Sequence, residues 1–205
     1  MDYMEIFTLV TGVIYIILEI RQKNLMWVVG ILTSVAAMVV FFRQGLYASF
    51  GLNTYYLVMS FIGIFQWSKH RHKLKGESPL DENSHSAEIH LNRLTPNALV
   101  ISALITAGGI FLLSYLMKLL ENPMSWMDSS IAVLSAVATW WLAKAYLEQW
   151  WIWIVADLLS TIMCAVSGLW WMSALYTAYT ISAVIGLSYW KRHGTYITIT
   201  DRRPQ

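Results

Sequence analysis

Charge is scarce in this sequence. Asp, Glu, Lys and Arg make up 13% of its 205 residues, against about 25% in a soluble domain. Residues 44–68, 94–117 and 158–190 contain none of the four. A bilayer span needs only about 20 apolar residues, so the last of these runs is long enough for parts of two. Cysteine is scarcer still: the single Cys164, in an apolar segment, excludes an intramolecular disulfide. The five histidines (His70, His72, His85, His90, His193) all lie outside the apolar runs. An intramembrane metal site is therefore not indicated, and His70 and His72 belong to a solvated basic stretch, SKHRHKLK. No Walker-type glycine loop is present, so the chain does not draw on ATP by itself. No lysine lies in 170–190, which removes a retinal photoreceptor. No Cys pair, His or Ser–Lys set stands near the apolar segments' one central carboxylate, which argues against an intramembrane enzyme, and no cofactor is expected.

What remains is a polytopic, all-α membrane protein, 57% hydrophobic with mean hydropathy +0.51. Seven transmembrane helices are expected near 4–20, 25–42, 46–67, 97–120, 129–147, 150–167 and 170–190. The N-terminus carries Asp2 and Glu5 rather than basic residues, and no small-residue cleavage site follows, so the first apolar stretch reads as a retained span. Residues 68–96 read as a polar connecting loop, and 191–205 as a tail. Arg21, Lys23, Lys69, Arg71, Lys73, Lys75, Arg93, Lys144, Lys191, Arg192, Arg202 and Arg203 fall on one side, and only Arg43 and Lys118 on the other. The positive-inside rule then puts the N-terminus outside and the C-terminus, with the 68–96 loop, in the cytoplasm. Glu19, beside Arg21 and Lys23, reads as a solvated or ion-paired interface residue.

The chain also repeats itself. GLYASFGLNTYYLVMSFIGIFQW (45–67) aligns without a gap on GLWWMSALYTAYTISAVIGLSYW (168–190), matching Gly45/Gly168, Thr54/Thr177, Tyr56/Tyr179, Gly63/Gly186 and Trp67/Trp190. One helix earlier, with a small shift, WVVGILTS (27–34) lies over WIVADLLS (153–160), pairing Trp27 with Trp153. A three-helix repeat entered directly a second time would be inverted. An unrepeated helix at 97–120 restores the starting side, so residues 1–67 and 129–190 become parallel repeats. This 3+1+3 plan resembles that of SWEET-type transporters, where substrate binds between repeats near the midplane.

The stretch EQWWIWIVADLLS (148–160) carries the chemistry. Trp150, Trp153, Asp157 and Ser160 fall within about 80° of one another on a helix. Asn53 and Tyr56 share a stripe on the third helix, and the repeat sets Tyr176 and Tyr179 over them. Polar side chains in a span turn toward the bundle interior. Some of these residues have plainer readings beside them: Trp150, Trp151, Trp170 and Trp171 also suit an interfacial belt, and Ser34, Ser49, Ser60, Ser160, Gly63 and Gly186 suit close helix packing. Asp157 does not. An Asp at a helix centre costs about 2.5–3.5 kcal/mol on insertion, and no Lys or Arg lies in the core of any span to neutralise it. A carboxylate among aromatic faces suits a flat, positively charged organic molecule, because a cation over Trp or Tyr gains about 0.5–2 kcal/mol. An inorganic cation would call for more oxygen ligands.

The segments LEIRQKNLMWVVGILTS, GLNTYYLVMSFIGIFQW and EQWWIWIVADLLS, with the closing spacing of Tyr179, Gly186 and Trp190, resemble the PnuC family of bacterial vitamin transporters. The resemblance covers both three-helix repeats. It implies facilitated diffusion of nicotinamide riboside, or in relatives of thiamine or riboflavin, across the bacterial inner membrane, with trapping by a separate cytoplasmic kinase. It also implies that Trp150 and Trp153 wall the substrate site. Asp157 stands where nicotinamide riboside members typically carry Asn, and Asn53 where Gln is usual. Riboflavin is neutral and gives no account of Asp157; nicotinamide riboside and thiamine each carry a positive ring. The expectation is a uniporter working by alternating access, its substrate contacts drawn from Trp27, Asn53, Tyr56, Trp150, Trp153, Asp157, Tyr176 and Tyr179. A proton-coupled carrier using Asp157 and a sugar carrier on the same plan are the alternatives. The expected partners are the cationic vitamin and the lipid bilayer, with no nucleic acid, and the sequence leaves a homo-oligomer open.

Overall fold

The computed structural model of the protein describes residues 14–43, 47–77, 89–119 and 125–196. These are helical almost throughout: α1 (14–20), α2 (Leu25–Arg43), α3 (Tyr47–Glu77), α4 (Pro96–Leu119), α5 (Ser125–Ala143), α6 (Gln149–Val166) and α7 (Trp170–His193). The exception to an all-helical chain is a small sheet of β1 (Ile89–Leu91) and β2 (Gly194–Tyr196). The chain divides into two units, residues 1–89 and 90–205. By length and composition alone, α4 and α6 are apolar enough to cross a membrane. On α4 nearly every large apolar side chain faces outward, Leu104, Phe111 and Leu112 among them. Such a surface suits lipid, which asks nothing polar of it.

Helix boundaries differ from expectation most at α3 and α5, and α7 runs on to His193, into the expected tail. The third helix does not end at residue 67; it runs through the basic stretch to Glu77, because Lys, Arg and Leu are good helix formers and no breaker precedes Gly76. The expected loop thus begins inside a helix, and its later part contains strand β1 and reaches the first residue of α4. Helix α5 spans Ser125–Ala143 rather than 129–147, with Asp128 in its first turn. It stops early because Ala145 turns left-handed (φ 55°), and the freed carbonyls are taken up by Ala145 N–H on Leu142 C=O (2.9 Å) and Tyr146 N–H on Trp141 C=O (3.0 Å). This is the hydrogen-bond pattern of a Schellman cap. Residues 4–13, expected in the first helix, lie outside the described residues.

Within the first unit α2 packs on α3. Trp27, fully buried, lies over Gly63, where any Cβ would run into its indole. Its ring meets Trp67 edge-on, centroids 5.2 Å apart at 74°. Asn24 donates to the Ser68 hydroxyl at 3.1 Å across the same pair of helices. Glu19 is buried rather than solvated, within electrostatic reach of Tyr15. Within the second unit α4 packs on α5, α5 on α6 and α6 on α7. The Trp141 indole N–H donates to Ser102 Oγ at 2.9 Å, joining α5 to α4 in the interior. At one end Asn92 donates through its side chain to Lys144 C=O (2.7 Å) and through its backbone to Ala145 C=O (3.1 Å), and Leu91 is lodged against Gly194.

The repeat is present in both units, and more regular than expected. Gln22 and Ala145 are the two non-glycine residues with positive φ among the described residues (49° and 55°). They hold equivalent caps: Gln22 N–H bonds Glu19 C=O and Lys23 N–H bonds Leu18 C=O, matching the Ala145 and Tyr146 bonds. Trp150 lies over Gly186 and meets Trp190 edge-on at 5.4 Å and 88°, as Trp27 does with Gly63 and Trp67. One displacement in sequence relates every pair: 22 to 145, 27 to 150, 63 to 186 and 67 to 190. The shifted pairing of Trp27 with Trp153 is therefore replaced by Trp27 with Trp150. Gly30 then corresponds to Trp153, Ser34 to Asp157, and Asn53 to Tyr176.

Candidate functional site

Helix α6 presents its polar and aromatic residues along one buried face. Its inner stripe holds Gln149, Trp150, Trp153, Ala156, Asp157, Ser160 and Cys164; Trp151, Val155, Leu158, Ile162 and Val166 face outward. The helix ends in a Schellman cap in which Leu169 N–H reaches Cys164 C=O (2.8 Å) and Gly168 N–H reaches Ala165 C=O (3.1 Å). Gly168 sits at φ 74°, a conformation that only glycine adopts without strain. The turn returns the chain along α6 as α7, and Ser173 Oγ donates to Thr161 C=O at 3.1 Å to hold the pair.

Asp157 is 9% exposed. Its backbone carbonyl accepts from Thr161 Oγ1 (2.9 Å), but among the described residues no hydrogen bond or ion pair to its carboxylate is seen. Tyr176 and Tyr179 of α7 stand within electrostatic reach of it, their rings edge-to-face at 5.9 Å and 89°. Trp153 is half-buried, and its indole N–H is enclosed without an acceptor. Trp153, Asp157, Tyr176 and Tyr179 are thus collected around α6 and α7 within one unit. Trp150 is not part of an open wall. It is 2% exposed, its ring occupied by Gly186 and Trp190.

In the first unit Trp27 is likewise taken up by Gly63 and Trp67. Asn53 and Tyr56 are half-buried on α3, with Tyr56 edge-on to Tyr55 at 5.8 Å and its carbonyl accepting from Ser60 Oγ at 2.8 Å. Gly30 stands where the second repeat has Trp153, and the Ser60 hydroxyl occupies the space a Cβ there would enter. A groove of about 290 Å³ in this unit, lined by Val35, Met38, Val39, Phe42, Phe50 and Leu57, contains none of the expected contact residues and is wholly apolar.

Sequence reasoning overlooked Gln149. It is completely buried, and both atoms of its amide lack a partner. The unshifted repeat would have drawn notice to it, since the corresponding residue is the fully buried Met26. A chain that keeps an amide where its own repeat accommodates a thioether holds an unusual residue.

The nicotinamide mononucleotide transporter family matches residues 2–192 of the chain. The nicotinamide riboside transporter PnuC of Escherichia coli is 22% identical over 204 residues, covering 93% of this chain and 85% of the relative. That of Neisseria mucosa is 25% identical over 199 residues, covering 90% and 72%. The crystal structure of a vitamin B3 transporter PnuC superposes with a TM-score of 0.63 at 24% identity, over 90% of this chain and 80% of the other, a likeness of fold. These relatives are transporters and not enzymes. With its family match running through both repeats, the chain belongs to the nicotinamide mononucleotide transporter family of membrane proteins.

Proposed function

We propose that the protein is an inner-membrane facilitator for a cationic vitamin or vitamin precursor, nicotinamide riboside first and thiamine second. The observation that carries this reading is Asp157: a buried carboxylate with no cation beside it among the described residues, on the stripe of Trp153 and within electrostatic reach of Tyr176 and Tyr179. A fixed positive ring supplies the missing charge, and the aromatic faces supply stacking and cation–π attraction. Nicotinamide riboside, for which the similar PnuC transporters are named, has such a ring. Asn53 and Tyr56 are proposed as further contacts. Trp27 and Trp150, whose rings are taken up by glycine and tryptophan neighbours, are proposed as supports and not as contacts.

Transport proceeds by alternating access of two three-helix repeats joined by α4, with the N-terminus outside. Nothing in the chain supplies energy, so net flux follows the substrate gradient, and phosphorylation by a cytoplasmic kinase retains what enters. A second reading has one observation in its favour: a buried carboxylate without a fixed partner is also what a proton carrier needs. Uptake that depends on an imposed pH gradient, at constant substrate gradient, would select it.

The test is equilibrium binding of detergent-purified protein to nicotinamide riboside, thiamine and riboflavin. The two cations bind and riboflavin does not. If thiamine binds tightest, Asp157→Asn weakens it about tenfold or more, as expected for loss of a close charge pair in a partly desolvated site. If nicotinamide riboside binds tightest, Asp157 is a variant of the amide the resemblance implies there, and the loss is small. Equal affinity for riboflavin, or unchanged thiamine affinity in the variant, would remove the assignment.

A further inference from the structure

Resting on that same reading of the site, we infer that Trp150 is a positioning residue: it touches no substrate, and it sets the rotation of α6 against α7 so that Trp153 and Asp157 face the ligand. The two tryptophans of the W-x-x-W pair then have different work. They stand three positions apart, so on an α-helix they differ by about 60° in direction and about 4.5 Å in height. Trp150 lies closed in the α6–α7 contact, whereas Trp153 remains half-exposed.

Three observations carry this. The Trp150 six-membered ring covers Gly186 so closely that a methyl group there would overlap it, and its edge is met by the fully buried Trp190. The same arrangement, Trp27 over Gly63 and against Trp67, stands in the first repeat. That repeat lacks the second tryptophan and the carboxylate, with Gly30 and Ser34 in their places. A contact kept in a repeat that lacks that tryptophan and that carboxylate belongs to the packing of the helices. A ring with no free face has nothing to offer a substrate. It can still fix an angle, and a shift of about 1 Å in a recognition group is enough to weaken an oriented interaction severely.

The experiment is a double-mutant cycle read by calorimetric binding of nicotinamide riboside to the purified protein. Trp150→Phe removes the outer carbons of the indole and leaves space at Gly186; Gly186→Ala fills part of that space. Trp150→Phe weakens binding about fivefold or more and lowers Tm. The pair Trp150→Phe/Gly186→Ala recovers affinity to within about threefold of wild type, the coupling expected of groups in contact. Trp153→Phe, as a control, weakens binding while leaving Tm unchanged. If the paired variant binds as weakly as Trp150→Phe while its Tm recovers, the ring itself contacts the ligand and the inference is overturned. The comparison needs only Trp150→Phe and the paired variant, so it stands even where Gly186→Ala alone does not fold. Absence of binding by the wild-type protein is a separate outcome, which removes the functional reading and this inference with it.

Discussion

Ser34 and Asp157 hold the same place in the two repeats: each is buried, and each lies seven residues after an enclosed tryptophan seated on a glycine. One repeat therefore places a neutral hydroxyl where the other places a carboxylate. Asp157→Ser gives the second repeat the first one's residue. The variant is expected to fold and to melt no lower than wild type, because burying an unpaired carboxylate stabilises nothing. Uptake of thiamine should fall about tenfold or more. Thermal unfolding in detergent and radiolabelled uptake check the two halves. A fall in Tm of several degrees would show a carboxylate that holds the protein together.

Gln149 invites the same substitution by analogy. Its amide is enclosed with neither atom partnered, where Met26 fills the equivalent space. Each unmet polar group costs about 1–3 kcal/mol, so Gln149→Met should raise Tm. A lower Tm would mean that the amide is bonded in the folded protein. A higher Tm together with lost binding would place the amide among the substrate contacts.

Ala145 and Gln22 each adopt a left-handed conformation at a helix cap. For a residue with a Cβ that conformation costs about 1–2 kcal/mol, of which glycine's extra freedom in the unfolded chain takes back about 0.5–1 kcal/mol. Ala145→Gly and Gln22→Gly should each stabilise by up to about 1 kcal/mol, and their effects should add, since each cap lies within its own unit. Denaturation scans of the single and double variants measure this. Destabilisation by either change would show a side chain whose contacts outweigh the strain.

Tyr146 lies in the turn between α5 and α6, edge-on to Trp141 at 6.1 Å. Burial first, and the Glu148 carboxylate second, hold its phenol above the usual range. The folded protein therefore keeps this proton longer than the unfolded chain does. The associated stability is fully present below about pH 10, the ordinary tyrosine value, and is lost as pH rises beyond it. Tyr146→Phe should flatten the alkaline fall of Tm relative to wild type. Parallel curves for the two proteins would mean that the phenol has the same affinity for its proton folded and unfolded.

Much of this was legible in the residues, for physical reasons. Long uncharged runs announce helices in lipid, and the Gly63–Trp67 and Gly186–Trp190 spacings announce the third helix of each repeat, because a large ring and a missing side chain are hard to place by accident. The second helix of each repeat was misaligned. Pairing Trp27 with Trp153 matched Ser34 to Ser160, whereas the true register puts Gly30 over Trp153 and Ser34 over Asp157, and unlike residues carry no visible signal. The end of α5 was hidden because its cap uses alanine where glycine is the usual mark. The basic end of α3 reads as loop by charge although its residues favour helix, and three-residue strands such as β1 and β2 are too short to show any period. The stripe on α6 was legible apart from Gln149, yet the sorting of Trp150 from Trp153 was not, since it depends on which ring meets Gly186.

A glycine covered by an indole is a two-position lock. Gly186 cannot enlarge while Trp150 keeps its full ring, and Trp150 cannot shrink without leaving a hole over Gly186; Gly63 and Trp27 are bound in the same way. Single substitutions at these four positions are all costly, so such changes must come in pairs. Positions 30, 34 and 53 lie outside these two locks, Gly30 meeting the Ser60 hydroxyl and not an indole, and they are where the first repeat has parted from the second, at 153, 157 and 176. A duplicated frame locked in this manner can change one half's chemistry while the geometry that presents it stays put, and a binding preference can drift without the helices having to be packed anew.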